Sequence, residues 1–314
     1  MAIGNGKEVA IVGIPLGYGA AKSGSELGVE AMRASPIRGR ILSEHIAELG
    51  YAVHDNGNVR VVRPTHIADA SQNPKYLDEI LATCVNSSSA IKDALGRGAF
   101  PIILGGDHSI AIGTFAGVAS HFRDRGEDVG LIWFDAHADI NTPETSPSGN
   151  IHGMPLSVLL GDGNEQLVNI DGFAPKLKPE FCAHVGGRDL DEGERRRVHE
   201  LGLRDHFFTM SDIDKSGMLA CVEDAIAIAS KASGGYAVTF DIDMIDPRFA
   251  PGSGTLVRGG ATYREAHLAL EVIAEHGGMV SFEIVEVNPL LDQSNITVEL
   301  ACELILSALG KTIL

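Results

Sequence analysis

Acidic and imidazole side chains alternate in the segment Asp135-Ala-His137-Ala-Asp139, directly after an apolar run at residues 129–134. The apolar run predicts a buried strand that ends where the charges begin. Side chains two residues apart point the same way in extended backbone, so Asp135, His137 and Asp139 can converge on one point. Buried carboxylates repel each other unless a cation neutralises them. The pattern therefore predicts a divalent metal site at the end of this strand.

Two other predicted strands also end in polar clusters. Asp241 and Asp243 follow the run 236–240 and share a face by the same two-residue rule. His108 follows the run 101–104 after two glycines, which permit a close approach of the backbone. The combined strand ends supply six candidate metal ligands, namely His108, Asp135, His137, Asp139, Asp241 and Asp243.

This ligand set is rich in oxygen and contains no thiolate. Four carboxylates balance the charge of two dications, so we expect a binuclear centre with two Mn2+ ions, while Fe2+, Co2+ and Ni2+ remain alternatives. A water molecule between two such ions loses its proton near neutral pH. The resulting hydroxide attacks an electrophilic carbon or phosphorus, and the ligands alone leave both open.

Short apolar runs alternate with amphipathic segments along the whole chain. Strands are predicted at 9–14, 101–104, 131–134, 182–185, 236–240 and 280–285, and helices at 76–95, 109–125, 192–201, 218–231, 263–275 and 297–309. Such alternation predicts a mainly parallel sheet covered by helices on both faces, with ligands binding beyond the carboxyl ends of its strands. Since no linker or repeat divides the sequence, we expect a single domain over residues 1–314.

The composition excludes several classes of partner. The chain has 25 Lys and Arg against 42 Asp and Glu, a formal charge of -17, which argues against nucleic-acid binding. No apolar run reaches membrane-spanning length, and residues 1–8 lack the pattern of a signal peptide. The four cysteines are widely spaced and fit buried free thiols. We therefore expect a cytoplasmic protein with no nucleic-acid or membrane partner.

Several motifs together resemble the arginase/agmatinase ureohydrolase family. They are Gly105-Gly-Asp-His-Ser109, Asp135-Ala-His-Ala-Asp139, Ser148-Gly-Asn-Ile-His-Gly-Met-Pro155, Asp241-Ile-Asp-Met-Ile-Asp-Pro247, Thr262-Tyr-Arg-Glu-Ala-His267 and Glu286-Val-Asn-Pro289. The resemblance covers nearly the whole chain in the family's order. It implies a three-layer α/β/α domain, two Mn2+ ions per subunit, hydrolysis of a guanidinium group to urea and an amine, and assembly as a homotrimer or homohexamer.

Within this family, the loop that follows Asp139 resembles the arginase branch rather than the agmatinase branch. In that branch the positions of Asn141, Ser148 and Asn150 hold the α-carboxylate of the substrate, and the position of Asp191 faces its α-amino group. Amide and hydroxyl donors satisfy a carboxylate without introducing a cation. The resemblance therefore implies that the guanidino substrate is L-arginine.

The resemblance also implies a set of catalytic roles. Glu286 matches a glutamate that binds the guanidinium, for which a carboxylate is the natural bidentate partner, and Thr255 matches a residue lining that pocket. Asp139 is expected to accept a hydrogen bond from the nucleophile. His152, with a pKa near neutrality, is expected to pass a proton to the departing amine. Attack by the metal-bridging hydroxide on the guanidinium carbon would then release L-ornithine and urea.

One segment departs from the family's pattern. Leu256 stands where relatives usually carry proline, and Arg258 adds a cation close to a site for a cationic substrate. A related ureohydrolase acting on agmatine, a guanidino acid or a modified arginine is therefore the first alternative. A catalytically silent, metal-dependent scaffold would have no use for His152 and Glu286. A two-metal phosphoesterase would want a basic phosphate clamp, which is not evident.

Overall fold

Eight strands make up the centre of the protein, which a computed structural model describes over residues 8–69 and 72–313. The strands are β1 (Glu8–Ile14), β2 (Ala52–Asn58), β3 (Phe100–Gly105), β4 (Gly130–Phe134), β5 (Cys182–Val185), β6 (Phe207–Phe208), β7 (Tyr236–Asp241) and β8 (Met279–Val285). They form one sheet in the order β2-β1-β3-β8-β7-β4-β5-β6. Every neighbouring pair is parallel, because helices carry the chain back between strands.

Helices cover both faces of this sheet. They are α1 (Gly28–Ala34), α2 (Leu42–Glu48), α3 (Leu77–Gly96), α4 (Ala111–Arg123), α5 (Pro155–Leu159), α6 (Glu165–Val168), α7 (Glu192–Glu200), α8 (Met210–Ser216), α9 (Met218–Ala229), α10 (Tyr263–His276) and α11 (Ile296–Ala308). Ile132 and Phe134 of β4 pack in one apolar cluster with α1, α2 and α8–α11. Leu131 and Trp133 pack in a second cluster with α3–α7. The predicted three-layer α/β/α arrangement is confirmed.

The six predicted strands and six predicted helices all occur, with ends shifted by at most two residues. The sequence reading missed both edge strands. β2 has the sequence Ala-Val-His-Asp-Asn-Gly-Asn and is mostly exposed, so it shows no apolar run. β6 is only two residues long. Periodicity reveals buried strands, whereas these edge strands form because a neighbouring strand offers hydrogen bonds.

The strand order brings the predicted polar clusters to one edge of the sheet. β3, β8, β7 and β4 are consecutive neighbours, so the residues that follow them meet beyond their carboxyl ends. The amide of Glu286, just after β8, donates to the carbonyl of Gly106 at 2.7 Å, which ties two of these ends together. Within the described ranges, no helix is both long and apolar enough to cross a membrane.

Candidate metal centre and active site

All six predicted metal ligands lie together at this edge: His108, Asp135, His137, Asp139, Asp241 and Asp243. They include two groups of three residues, and within each group the potential ligand atoms lie within 4.8 Å of one another. The groups are His108, Asp135 and Asp139, and Asp135, His137 and Asp243. Asp135 belongs to both groups. Its Oδ2 lies 3.2 Å from Nδ1 of His108, and its Oδ1 lies 3.4 Å from Nδ1 of His137. The cluster thus consists of two groups of potential ligands that share the Asp135 carboxylate.

His108 provides a direct test of whether these residues fit a metal ion. Its Nε2 lies 2.9 Å from the hydroxyl of Thr239, which itself donates to Oε1 of Glu283 at 3.1 Å. Because the Thr239 proton is committed to Glu283, Nε2–H of His108 must be the donor, and the Nδ1 lone pair faces the cluster. Nδ1 is buried and lies 3.1–3.2 Å from carboxylate oxygens of Asp135, Asp139 and Asp241, with none of them in hydrogen-bond geometry. A divalent cation is the partner that this lone pair and the adjacent carboxylates require.

Charge repulsion inside the cluster points to the same conclusion. Burial and the neighbouring Asp243 raise the pKa of Asp241 well above its usual range. Burial and Asp135 raise the pKa of Asp139 to about 6. Burial alone would lower the pKa of His108, but the surrounding carboxylates raise it well above its usual range. The site therefore favours added positive charge, which two dications would supply.

Hydrogen bonds from outside the cluster orient its carboxylates. The indole of Trp133 donates to Oδ2 of Asp135 at 2.9 Å, and the amide of His137 donates to Oδ1 at 2.7 Å. The hydroxyl of Thr255 donates to Oδ2 of Asp243 at 2.8 Å. Such partners hold ligand oxygens in place before an ion arrives.

Glu286 connects the cluster to the predicted proton shuttle. Its Oε1 accepts a hydrogen bond from the amide of His108 at 3.0 Å and lies 3.1 Å from Nδ1 of His152. Burial alone would lower the pKa of His152, but the Glu286 carboxylate raises it to about 9. This contact therefore favours the protonated form of His152, which is the form that can donate a proton. A nearby dication would oppose that rise.

Two of these functional candidates have left-handed backbone. Asp139 has a φ of 50° and Glu286 a φ of 62°. A non-glycine residue in this region costs free energy, on the order of 1 kcal/mol, and the cost is smaller for aspartate. Strain of this kind is typical of functional sites, where surrounding contacts hold a side chain in a required direction.

A cavity of about 140 Å³ opens above the cluster. It is lined by His137, Asp139 and Asp241 of the cluster and by five predicted substrate or proton-transfer residues, namely Asn141, Ser148, His152, Asp191 and Thr255. A larger surface cavity, of about 450 Å³, lies beside α10 and contains none of the predicted residues. The smaller cavity is therefore the candidate substrate site, because the predicted residues line it.

The predicted substrate contacts are partly bonded to each other. Nδ2 of Asn141 donates to Oδ2 of Asp191 at 2.8 Å. Oδ1 of Asn150 accepts from the ammonium of Lys75 at 3.2 Å, and the amide of Asn150 donates to the Ser148 hydroxyl at 3.2 Å. Among the residues that the structure describes, Asn150 and Glu286 do not line this cavity, but each contacts a residue that does, Asn150 through Ser148 and Glu286 through His152.

The sequence analysis did not identify several residues that support the site. Thr239 and Glu283 stand behind His108, and their only signal is polarity within otherwise apolar strands. Arg188 donates to the carbonyls of Asp243 at 2.6 Å and Val257 at 2.8 Å, which joins two loops of the site. No local pattern predicts this contact.

Glu194 is also part of the cavity wall. Its carboxylate accepts from the amide of Asp191 at 3.1 Å, and the two residues form a capping box at the start of α7. Burial and the nearby Asp139 raise the pKa of Glu194 to about 8. The capping-box spacing was visible in the sequence, but it indicates only the start of a helix.

A parallel α/β sheet with carboxylates and imidazoles gathered beyond its strand ends defines a class of metal-dependent α/β proteins. The model of the arginase family matches residues 7–310, and the chain belongs to this family. It is 43% identical to an arginase of Brevibacillus brevis over 98% of this chain and 99% of that protein. It is 44% identical to an arginase of Bacillus subtilis (strain 168), with the same coverage.

A solved structure gives the corresponding result for the fold. The native structure of arginase from Bacillus caldovelox superimposes with a TM-score of 0.90 at 41% sequence identity. The match covers 98% of this chain and 100% of that chain. The resemblance noted from the motifs is confirmed at the level of the family.

Proposed function

We propose that the chain is a manganese-dependent amidinohydrolase that converts L-arginine to L-ornithine and urea. The observation that carries the proposal is that the two metal-ligand groups sharing Asp135 face the same cavity as Asn141, Ser148 and Asp191. Membership of the arginase family supports it, since the relatives compared above bear that name. We further propose that residues 1–314 form one ureohydrolase domain.

The six clustered side chains would hold two Mn2+ ions per subunit. His108, Asp135 and Asp139 form one group, and Asp135, His137 and Asp243 form the other, with Asp241 beside His108. When bound, two such ions lower the pKa of water toward neutrality and offset the carboxylate charge. Mn2+ suits a set dominated by oxygen ligands, although other divalent transition metals share this preference.

Glu286 and His152 would act side by side at the carbon–nitrogen bond that breaks, one on the guanidinium and the other on the leaving amine. The Glu286 carboxylate would bind the planar guanidinium of the substrate, for which it is a matched acceptor. Asp139 would accept a hydrogen bond from the attacking water, and His152 would deliver a proton to the departing amine. The contact of 3.1 Å between His152 and Glu286 supports a shared location for these two roles.

Substrate recognition would use the remaining residues of the wall. An amino acid carries its α-amino and α-carboxylate groups on one carbon, so their receptors must be adjacent. Asn141 and Asp191 meet this requirement, because their side chains are 2.8 Å apart. Ser148 and Asn150 would complete the carboxylate site, and Thr255 would line the guanidinium end.

We also propose that the protein assembles as a homotrimer or homohexamer in the cytoplasm. The family resemblance supports the assembly, and light scattering of the purified protein would measure it. No nucleic acid or membrane is needed by this mechanism.

The test is urea release from a small panel of guanidino compounds. We expect L-arginine to be preferred over agmatine and 4-guanidinobutanoate, chelation to abolish activity and Mn2+ to restore it. Preference for agmatine or a guanidino acid would assign the chain to a related ureohydrolase. Absence of urea from every compound, with two ions bound, would favour the silent scaffold.

The role of His152 has its own experiment. His152→Ala should lower kcat by about 100-fold, because general acid catalysis is lost. Metal content measured on the same sample serves as the control and should not change. Unchanged urea production would remove His152 from the mechanism.

A further inference from the structure

Residues 72–76 pack against the outer side of the substrate loop at residues 143–150. The amide of Lys75 donates to the carbonyl of Gly149 at 2.9 Å, and Nδ2 of Asn73 donates to the carbonyl of Pro143 at 2.5 Å. A Cβ added to Gly149 would lie 3.0 Å from the carbonyl oxygen of residue 72. One backbone and one side-chain hydrogen bond therefore hold this segment against the loop, and the contact is close at Gly149.

This packing brings a lysine to the proposed carboxylate site. The Lys75 ammonium donates to Oδ1 of Asn150 at 3.2 Å. A carboxamide that accepts through its oxygen has its two N–H donors on the other side. Lys75 thus determines the orientation of the Asn150 amide, which sits two residues after the cavity-lining Ser148.

The contact also leaves the charge of Lys75 available. Its partner is a neutral carboxamide, so the contact does not neutralise the ammonium. A positive charge near a partly exposed site attracts a carboxylate over several ångströms, and salt weakens the attraction. The sequence reading expected this carboxylate to be held without a cation, but Lys75 lies outside every motif on which that expectation rested.

We propose that Lys75 is a specificity-determining residue that selects guanidino substrates with an α-carboxylate. The inference rests on the proposed function and narrows its substrate class. L-Arginine presents a carboxylate at this end, whereas agmatine presents only an ammonium. The Lys75 ammonium attracts the carboxylate of L-arginine and repels the ammonium of agmatine. One charge therefore favours binding of the first substrate and disfavours binding of the second.

The experiment compares L-arginine with L-argininamide, which keeps the amino group and replaces the carboxylate by a neutral amide. Lys75→Met removes the charge, and Lys75→Arg retains it. The matched control is Lys92→Met on α3, because the Lys92 ammonium pairs with Asp124 at 2.8 Å and contacts no residue of the site.

We expect Lys75→Met to lower kcat/KM for L-arginine about tenfold, mainly through KM, because the substrate carboxylate loses the attraction of a nearby positive charge. With L-argininamide, kcat/KM should stay unchanged or rise slightly, since the neutral amide gains little from the charge and the ammonium of this substrate is no longer repelled. Lys75→Arg and Lys92→Met should stay close to the unsubstituted protein. Added NaCl should raise the KM for L-arginine less in Lys75→Met than in the unsubstituted protein.

Two results would overturn the inference. Equal losses with L-arginine and L-argininamide would show that Lys75 only supports the loop, and no loss with either would show that it has no role. Calorimetric binding of L-ornithine to the Mn2+-loaded protein separates this inference from the proposed function, because it needs no turnover. If no urea forms from L-arginine, the proposed function fails. Weaker L-ornithine binding by Lys75→Met would still support the carboxylate contact, and unchanged binding would refute it.

Discussion

The metal cluster and the cavity wall that faces it are held by different kinds of contact. In the cluster, Asp135 and Asp241 each accept from the backbone amide two residues further on, at 2.7 Å from His137 and at 2.9 Å from Asp243. In the wall, the side chains of Asn141 and Asp191 bond directly to each other. Asn141 to Asp191 spans 50 residues.

This difference separates catalysis from specificity in the chain. Strand ends and short local turns set the ligands within each of three compact motifs, and the strand order brings the motifs together. The wall depends on the mutual packing of several loops, and one substitution there can alter recognition without moving a ligand. Variants in the two regions should therefore affect different observables.

The largest effect is expected from Asp135→Asn, because Asp135 is the only residue common to both groups of ligand atoms. We expect kcat to fall by at least about 1,000-fold, since the metal chemistry needs both ions. Metal analysis should find fewer than two ions per subunit. Asp128→Asn is the control, because Asp128 pairs with Lys178 at the surface. Two tightly bound ions with near-normal activity would contradict the bridging role.

A smaller effect is expected from Thr239→Val, which removes the hydroxyl behind His108 with little change of volume. Nε2 of His108 would lose its partner at 2.9 Å, so we expect Mn2+ affinity to fall about 10- to 100-fold. The KM for L-arginine at saturating Mn2+ should stay the same. Thr239→Ser keeps the hydroxyl and should restore the affinity. A change in the KM for L-arginine with unchanged Mn2+ affinity would show that the metal cluster and the cavity wall do not control separate properties.

In the wall, Asp191→Asn should raise the KM for L-arginine about tenfold, because the α-amino group loses a charged acceptor. Asparagine keeps an oxygen for the amide of Glu194, which Asp191 accepts at 2.9 Å as the N-cap of α7, so the helix is preserved. Mn2+ affinity should not change. Equal effects on L-arginine and on a guanidino acid without the amino group would refute the proposed contact.

The last effect is on stability rather than on turnover and concerns the contact that joins the two regions. The pKa of His152 is raised to about 9 by Glu286, with burial acting against it. Between pH 6.5 and 9 the folded metal-free protein then holds a proton that the unfolded chain has released, so stability falls as pH rises. Denaturant unfolding should show a loss of about 2 kcal/mol over this range. Glu194, whose pKa burial and Asp139 raise to about 8, releases a proton in the same range, so the quantity to measure is the difference from His152→Asn. This variant should lose about 2 kcal/mol less over the range, and an equal loss in both proteins would contradict the pairing.

Predictability from sequence follows the same division. The run before Asp135 is apolar and buried on both faces, so strand β4 and the convergence of its ligands could be inferred directly. Strand β2 could not, because its polar residues acquire their conformation only by pairing with β1. Asp135, His137 and Asp139 are near neighbours along the chain. Glu286 and His152 are 134 residues apart, and only their family roles suggested that they would meet.

The sequence by itself determined the parallel α/β architecture and the six candidate ligands, because burial periodicity and the polar clusters at strand ends are local features. The extended backbone that we expected in these clusters does not occur, since residues 136–137 form a bend, Asp139 has a φ of 50° and Asp243 lies in the 3-10 helix Ile242–Met244. Only the tertiary structure decided which residues contact and support those ligands. Thr239 and Glu283 lie behind His108, Arg188 joins two loops, and Lys75 reaches Asn150. Each of these contacts depends on how separate loops pack against one another, and no local pattern contains that information.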